Sequence, residues 1–344
     1  MSQINPKEID KVLTEFFNEG KFQGTVLIGN DSGIVYEKGF GYANAEYNIP
    51  NTPQTKFRIA SITKSFTSML VMQLAQEGKI KLNGKITDYL PDYPAKTGSK
   101  ITIHHLLSHT SGLGHYEMIP GFYSSYSYLP FRHTDFLKLF KDAPLLFEPG
   151  SRYNYSSLGY YLLGVILEKI SGESYEDLLK ERIFNRLGMS NTSVDNCKRI
   201  EKNRAMGYEN TRSGLQNAEY RNMSTALATG DILSTVRDLY IWDRALYTDK
   251  LLPASIRDIL FKPNLNSYGY GWSINNTALS DGNILKGVSH TGTTNGFRSI
   301  ICRFLNKHTV IIMLCNSDNS DVSLVSEALK NVLFENPQVV KKNQ

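Results

Sequence analysis

A chain of 344 residues, 41% of them hydrophobic and 21% charged, can bury one large core or two. It has neither the apolar depletion that goes with disorder nor an apolar run near the roughly 18 residues of a membrane span. The net charge of +5 is scattered rather than gathered into a basic block, which argues against a nucleic-acid partner.

In chain order, the opening stretch MSQINPKEIDKVLTEFF reads as an amphipathic helix and lacks the pattern of a secretory leader. The expected compartment is the cytoplasm if Met1 is native and outside it if a leader has been removed. FQGTVLIGN and IVYEKGFGYAN then flank the turn residues DSG as a β-hairpin. From Ser61 the pattern becomes helical, with Ile62, Phe66, Met69, Leu70 and Leu74 at helical spacing and a stop at Gly78. SLGYYLLGVILEKISG, stopped at Gly172, and STVRDLYIWDRALY extend the helical region. After about residue 266, strand-like runs return as YGYGWSI, GVSHTG, FRSIICRFL and TVIIMLCN, with NKH as the last turn, and DVSLVSEALKNVLF closes the chain as a helix. The expected fold is therefore α/β (α+β). An antiparallel sheet built from residues 1–60 and 266–344 carries the N- and C-terminal helices, and a mostly helical domain, 61–265, is inserted between. The cleft between the two is the expected active site.

Ser61 is the only serine with a lysine three positions later, and it lies where the helical pattern begins. On a helix such residues share a face with Cβ atoms about 5–6 Å apart, so Lys64 can reach the Ser61 hydroxyl without tertiary help. Desolvation in a cleft lowers a lysine's pKa and leaves an amine able to take the serine proton. The bland alternative, a capping serine beside a solvated lysine, would suffice for an isolated S-x-x-K.

The surroundings carry more. TPQTKFRIASITKSFTSMLVMQLAQEGKIKLNGKITDYLP, ITIHHLLSHTSGL, FEPGSRYNYSSLGYYLLGVILEKISG and HTGTTNGF, in that order, resemble successive segments of the serine β-lactamase and penicillin-binding family, with its class C β-lactamase, D,D-carboxypeptidase, D-aminopeptidase and esterase branches. The resemblance implies a Tyr-x-Asn element, matched by Tyr155, Ser156 and Ser157, with serine in place of asparagine. It also implies a Lys-Thr-Gly or His-Thr-Gly element on a strand, matched by His290, Thr291 and Gly292. Tyr155 is then expected to shuttle a proton, and the N–H groups of Ser61 and Thr293 to hold an oxyanion. Ser157 keeps one hydroxyl donor where an amide would offer two. A histidine at 290 would carry a charge that switches near about pH 6.5, weakening its hold on a substrate carboxylate at neutrality. Other literal matches are set aside on context: Tyr42 with Asn44 and Tyr208 with Asn210 as Tyr-x-Asn, and Lys96-Thr97-Gly98 in a Pro-rich loop.

Metal binding by His104, His105 and His109 is disfavoured because no carboxylate accompanies them. The widely spaced Cys197, Cys302 and Cys315 indicate neither a disulfide framework nor a zinc site, and no cofactor is expected. The aromatic stretch 114–133 reads equally as packing or as a lid over the cleft. The expected function is a serine hydrolase acting through an acyl-serine on D-amino-acid-type peptides or on esters, with β-lactams ranked last. A penicillin-binding sensor with little turnover is the alternative.

Overall fold

Residues 5–335 are described by a computed structural model. Among them the largest sheet has six strands: β1 (Gly24–Asn30), β2 (Gly33–Phe40), β3 (Ser273–Ala278), β4 (Ile284–Thr294), β5 (Phe297–Phe304) and β6 (Thr309–Cys315). Their order is β3-β4-β5-β6-β1-β2, and every neighbouring pair is antiparallel. The two ends of the chain join where Gly24 of β1 lies opposite Cys315 of β6.

Burial on both faces explains why β6 reads as an unbroken apolar run rather than an alternating one. Ile311, Met313 and Cys315 enter a core beneath the terminal helices, whereas Val310, Ile312 and Leu314 enter a second core shared with the helical part of the molecule. The helices of ten residues or more are α1 (Pro6–Asn18), α2 (Thr63–Gln76), α3 (Ser157–Ser171), α4 (Val236–Ala245) and α5 (Val322–Phe334). α1 and α5 supply Ile9, Leu13, Val325 and Leu329 to the first core, and Asp321 caps α5 by accepting from Leu324 N at 2.9 Å.

On the other face the core is continuous from the sheet through α2 and α4, with Phe66 and Trp242 stacked 4.2 Å apart. α4 lies on this face of the sheet: Tyr240 Oη donates to Asn30 O at 2.7 Å, and buried Asp243 meets Arg303 of β5 at 2.6 Å. The run YGYGWSI is strand only from Ser273 onward. Gly271, at φ 77, turns the preceding loop against α2, where a Cβ would stand 2.7 Å from Lys64 O, so the aromatic residues before it pack around the site. No helix among the described residues is long and apolar enough to cross a membrane.

Candidate active site

Ser61 sits in a 3-10 turn, Ala60–Ile62, that runs directly into α2. Its approach is fixed from several sides. Ile59 N donates to Ile232 O at 3.0 Å, and Ser299 Oγ of β5 donates to Ile59 O at 2.8 Å. Ala60 takes the left-handed φ of 45°, a conformation that costs a non-glycine residue about 1–2 kcal/mol and persists only where surroundings impose it. Gly292 of β4 allows that imposition, because a Cβ there would run into Ile59 O and Ser299 Oγ.

One turn along α2, Lys64 is fully buried, with Nζ 3.0 Å from Ser61 Oγ and 2.8 Å from Thr229 O. Burial, and after it the positive charge of Arg221, hold the amine well below its ordinary pKa, while Asp231 pulls the other way. A neutral amine so placed can accept the Ser61 proton while donating to the Thr229 carbonyl.

Tyr155 precedes α3, whose first turn is capped by Ser156 Oγ accepting from Gly159 N at 3.0 Å. Its ring lies 4.9 Å from Lys64 Nζ and 4.3 Å from the ring of buried His109, which in turn accepts from Ser156 N at 3.1 Å. Burial raises the phenol above its usual range and the interaction with Ser61 only partly opposes this, so Tyr155 stays protonated. The nearby ring face suits the ammonium that Lys64 would become on taking a proton.

Ser157 is buried against a histidine. Its Oγ is 3.0 Å from His115 Nε2, and His115 Nδ1 faces the Glu117 carboxylate at 3.3 Å. Burial and Lys64 push His115 down to about 4, so its ring is neutral at pH 7. The carboxylate favours the proton on Nδ1, which leaves Nε2 to accept from the Ser157 hydroxyl. The donor expected to face substrate is therefore turned toward His115.

These groups open into a cleft of about 660 Å³ whose lining includes Ser61, Tyr155, Ser157, Arg221, His290 and Thr293. A protein-family model described as Beta-lactamase matches residues 9–333. The chain belongs to the Beta-lactamase family. It is 31% identical to penicillin-binding protein 4* of Bacillus subtilis (strain 168), over 98% of this chain and 78% of that protein. Among solved structures it is similar to the octameric penicillin-binding protein homologue from Pyrococcus abyssi (30% identity, TM-score 0.83, covering 96% of this chain and 78% of the other). It is also similar to the D-amino acid amidase from Ochrobactrum anthropi SV3 (27% identity, TM-score 0.80, covering 98% and 99%).

Within this Beta-lactamase-family cleft, His290 differs from its expected behaviour. It is buried, with Nε2 2.9 Å from Tyr268 Oη and Nδ1 2.7 Å from Thr291 O. Burial, then Lys64, push it down to about 3. Its charge does not switch near pH 6.5; it is neutral throughout the physiological range. Thr291 and Thr293 line the cleft from the exposed side of β4.

The strings set aside on context lie elsewhere. Lys96-Thr97-Gly98 forms a short helical turn, Tyr42 is on an exposed edge strand, and Tyr208 is buried with its hydroxyl bonded to Glu46 at 2.6 Å. The three histidines take separate partners: His104 meets Tyr270, His105 caps with Thr102, and His109 braces Tyr155. Residues 114–133 divide between the two expected roles. Tyr116 and Phe122 are buried and stacked, while exposed Tyr123 lines the cleft. Arg221 and Thr229 were not singled out in the sequence, because each reaches the cleft from an irregular connection with no local pattern, while His115 lies inside the aromatic stretch 114–133 and Tyr268 inside the run YGYGWSI, neither marked by a motif of its own.

Proposed function

We propose that this protein is a serine hydrolase working through an acyl-serine intermediate at Ser61. The observation that carries the reading is Lys64 Nζ, buried and 3.0 Å from the Oγ of Ser61, which lines the cleft. In this reading Lys64 takes the Ser61 proton as the hydroxyl attacks the acyl carbon, and Tyr155, held as a phenol against Ser61, passes a proton to the leaving group. The N–H groups of Ser61 and Thr293 hold the oxyanion, where a donor typically contributes about 3–4 kcal/mol to the transition state. Water then releases the acyl group by the reverse proton path.

The substrate class we infer is D-amino-acid amides or peptides together with short activated esters, with β-lactams turned over poorly. The penicillin-binding and D-amino acid amidase relatives support the class. The turned-away Ser157 hydroxyl supports the order, since amides depend more than activated esters on exact placement. A fluorophosphonate probe should label one site, and the labelled peptide should contain Ser61. Labelling of another serine with Ser61 unmodified, or full ester turnover in Ser61→Ala, is the result that overturns the proposal.

A further inference from the structure

The cleft holds two pairs of a hydroxyl and a base. Ser61 with Lys64 is one, and Ser157 with His115 is the other, its Oγ 3.0 Å from Nε2. The second pair has a third member. His115 Nδ1 faces the Glu117 carboxylate at 3.3 Å and has no hydrogen-bond partner elsewhere among the described residues, while Tyr123 Oη donates to the same carboxylate at 3.1 Å. Serine, imidazole and carboxylate thus stand in the order that makes a hydroxyl a proton carrier. The imidazole plane is set by Tyr116, edge-on at 4.8 Å, and by Tyr155, near-parallel at 6.1 Å. Ser61, His115 and Ser157 all line the cleft.

Ser157 is the first residue of α3 and is 3% exposed, so a water reaches its oxygen more readily than an acyl carbon does, and Ser61 remains the nucleophile. What the second pair can take is a proton. Its hydroxyl hydrogen points to the imidazole and its lone pairs to the cleft, and neutral Nε2 is a free acceptor at pH 7. Release of an acyl group from Ser61 calls for such an acceptor. Tyr155, buried as a phenol, takes a proton from water only while it hands its own to Lys64. His115 is weakened as a base by burial and then by the charge of a protonated Lys64, and the second of these vanishes while Lys64 is the amine.

We propose that Ser157, His115 and Glu117 form a second proton acceptor in this cleft, additional to Tyr155, that serves the water which releases the acyl group from Ser61. The inference rests on the acyl-serine reading and deepens its second half. As the water oxygen bonds to the acyl carbon, its proton passes to Ser157 Oγ and the Ser157 proton passes to His115 Nε2, leaving an imidazolium facing Glu117. When the bond from that carbon to Ser61 Oγ breaks, Oγ takes the Tyr155 proton. The imidazolium proton then returns to the phenolate through cleft water, and every side chain ends as it began.

The test separates the two halves of the reaction with p-nitrophenyl acetate. The burst of p-nitrophenol times acylation, and mass spectrometry after rapid quenching times the loss of acetyl from Ser61. Fluorophosphonate labelling of Ser61 counts the folded sites in each variant. Ser157→Ala and His115→Gln should each slow acetyl release at least about tenfold more than they slow acylation, so that acetyl-Ser61 accumulates. The double variant should be no slower than the slower single one, because the residues act as a unit. Ser157→Thr, which keeps a hydroxyl, should retain most of the rate. Hydroxylamine attacks the acyl group without needing a base, so adding it should restore turnover in His115→Gln. Acetyl release that falls no more than acylation in both single variants, effects that multiply in the double variant, or failure of hydroxylamine to restore turnover overturns the relay. If wild-type Ser61 never acquires an acetyl group, the hydrolase reading itself falls and the relay with it, whereas acetylated Ser61 that empties at the wild-type rate in both variants removes the relay alone.

Discussion

At the scale of the residue, the site is a set of burial-controlled protonation states. Lys64 is driven toward the amine, Tyr155 toward the phenol, and His109, His115 and His290 toward neutral imidazole. Arg221 is the permanent charge near Lys64. Ser61, Lys64, Tyr155 and His290 were legible because each belongs to a short string with neighbours of recognisable type. The meaning of Ser157 was not, because its partner His115 comes from a loop forty-odd positions earlier and no local rule links them. That partner changes the expected chemistry. Ser157 Oγ and His115 Nε2 lie 3.0 Å apart, and with the imidazole proton on Nδ1, toward Glu117, the hydroxyl donates to that ring and presents lone pairs to the cleft. An asparagine at this position could accept from or donate to the imidazole through one end and offer the other to a substrate carbonyl. On the proposed reading, Ser157→Asn should therefore raise kcat/KM for a D-alanine p-nitroanilide relative to p-nitrophenyl acetate by about fivefold to thirtyfold, the value of one hydrogen bond of about 1–2 kcal/mol. A fall in that ratio would mean that the Ser157–His115 pair is itself the positioning device.

At the scale of the element, periodicity located the long helices and the six strands of the main sheet, because their apolar spacing is dictated by which faces are buried, and missed the short strands outside that sheet. Gly78, Gly172 and the Asp31-Ser32 turn punctuate them as expected, with left-handed φ of 73° and 75° at the two glycines. What periodicity could not show is which element docks where. α4 reads as an ordinary amphipathic helix of the inserted region, yet it is fastened to β5 by the ion pair between Asp243 and Arg303, both essentially unexposed. Arg303 is further enclosed by Tyr247, Phe261 and Trp272 at 4.6, 5.2 and 5.6 Å. Removing the carboxylate strands a buried cation, so Asp243→Ala should cost about 3–5 kcal/mol in urea unfolding. Asp243→Leu combined with Arg303→Met removes the buried pair and leaves Arg244, which also pairs with Asp243, its contact with Asp31 at 2.6 Å, so it should lie closer to wild type than the single variant. If the single and double variants are equally destabilised, the contact between α4 and β5 depends on shape rather than on the charge pair.

At the scale of the whole molecule, packing both ends of the chain against its middle buries titratable groups whose effects on stability oppose one another. His290 is lowered to about 3, and His105 and His115 to about 4, chiefly by burial, against about 6.5 in an unfolded chain. Between those values the unfolded chain binds more protons than the native one, so these three groups make stability fall as pH drops below about 6.5. Asp231 acts with the opposite sign. Burial raises it to about 7 from about 3.9 when unfolded, so across that interval the native state holds the extra proton and stability falls as pH rises. Three imidazoles outweigh one carboxyl below pH 6.5, and thermal unfolding should show the melting temperature climbing from pH 4.5 to 6.5. The carboxyl is isolated by substitution. Asp231→Asn keeps an oxygen to accept from Ala228 N, the bond Asp231 makes at 3.2 Å, but cannot ionise, so it should melt at a higher temperature than wild type at pH 8. That gain should shrink toward zero by pH 4, where the wild-type carboxyl is protonated in the folded protein. A difference that stays constant between pH 4 and pH 8 would show that the substitution acts through packing, and that Asp231 does not titrate in this interval.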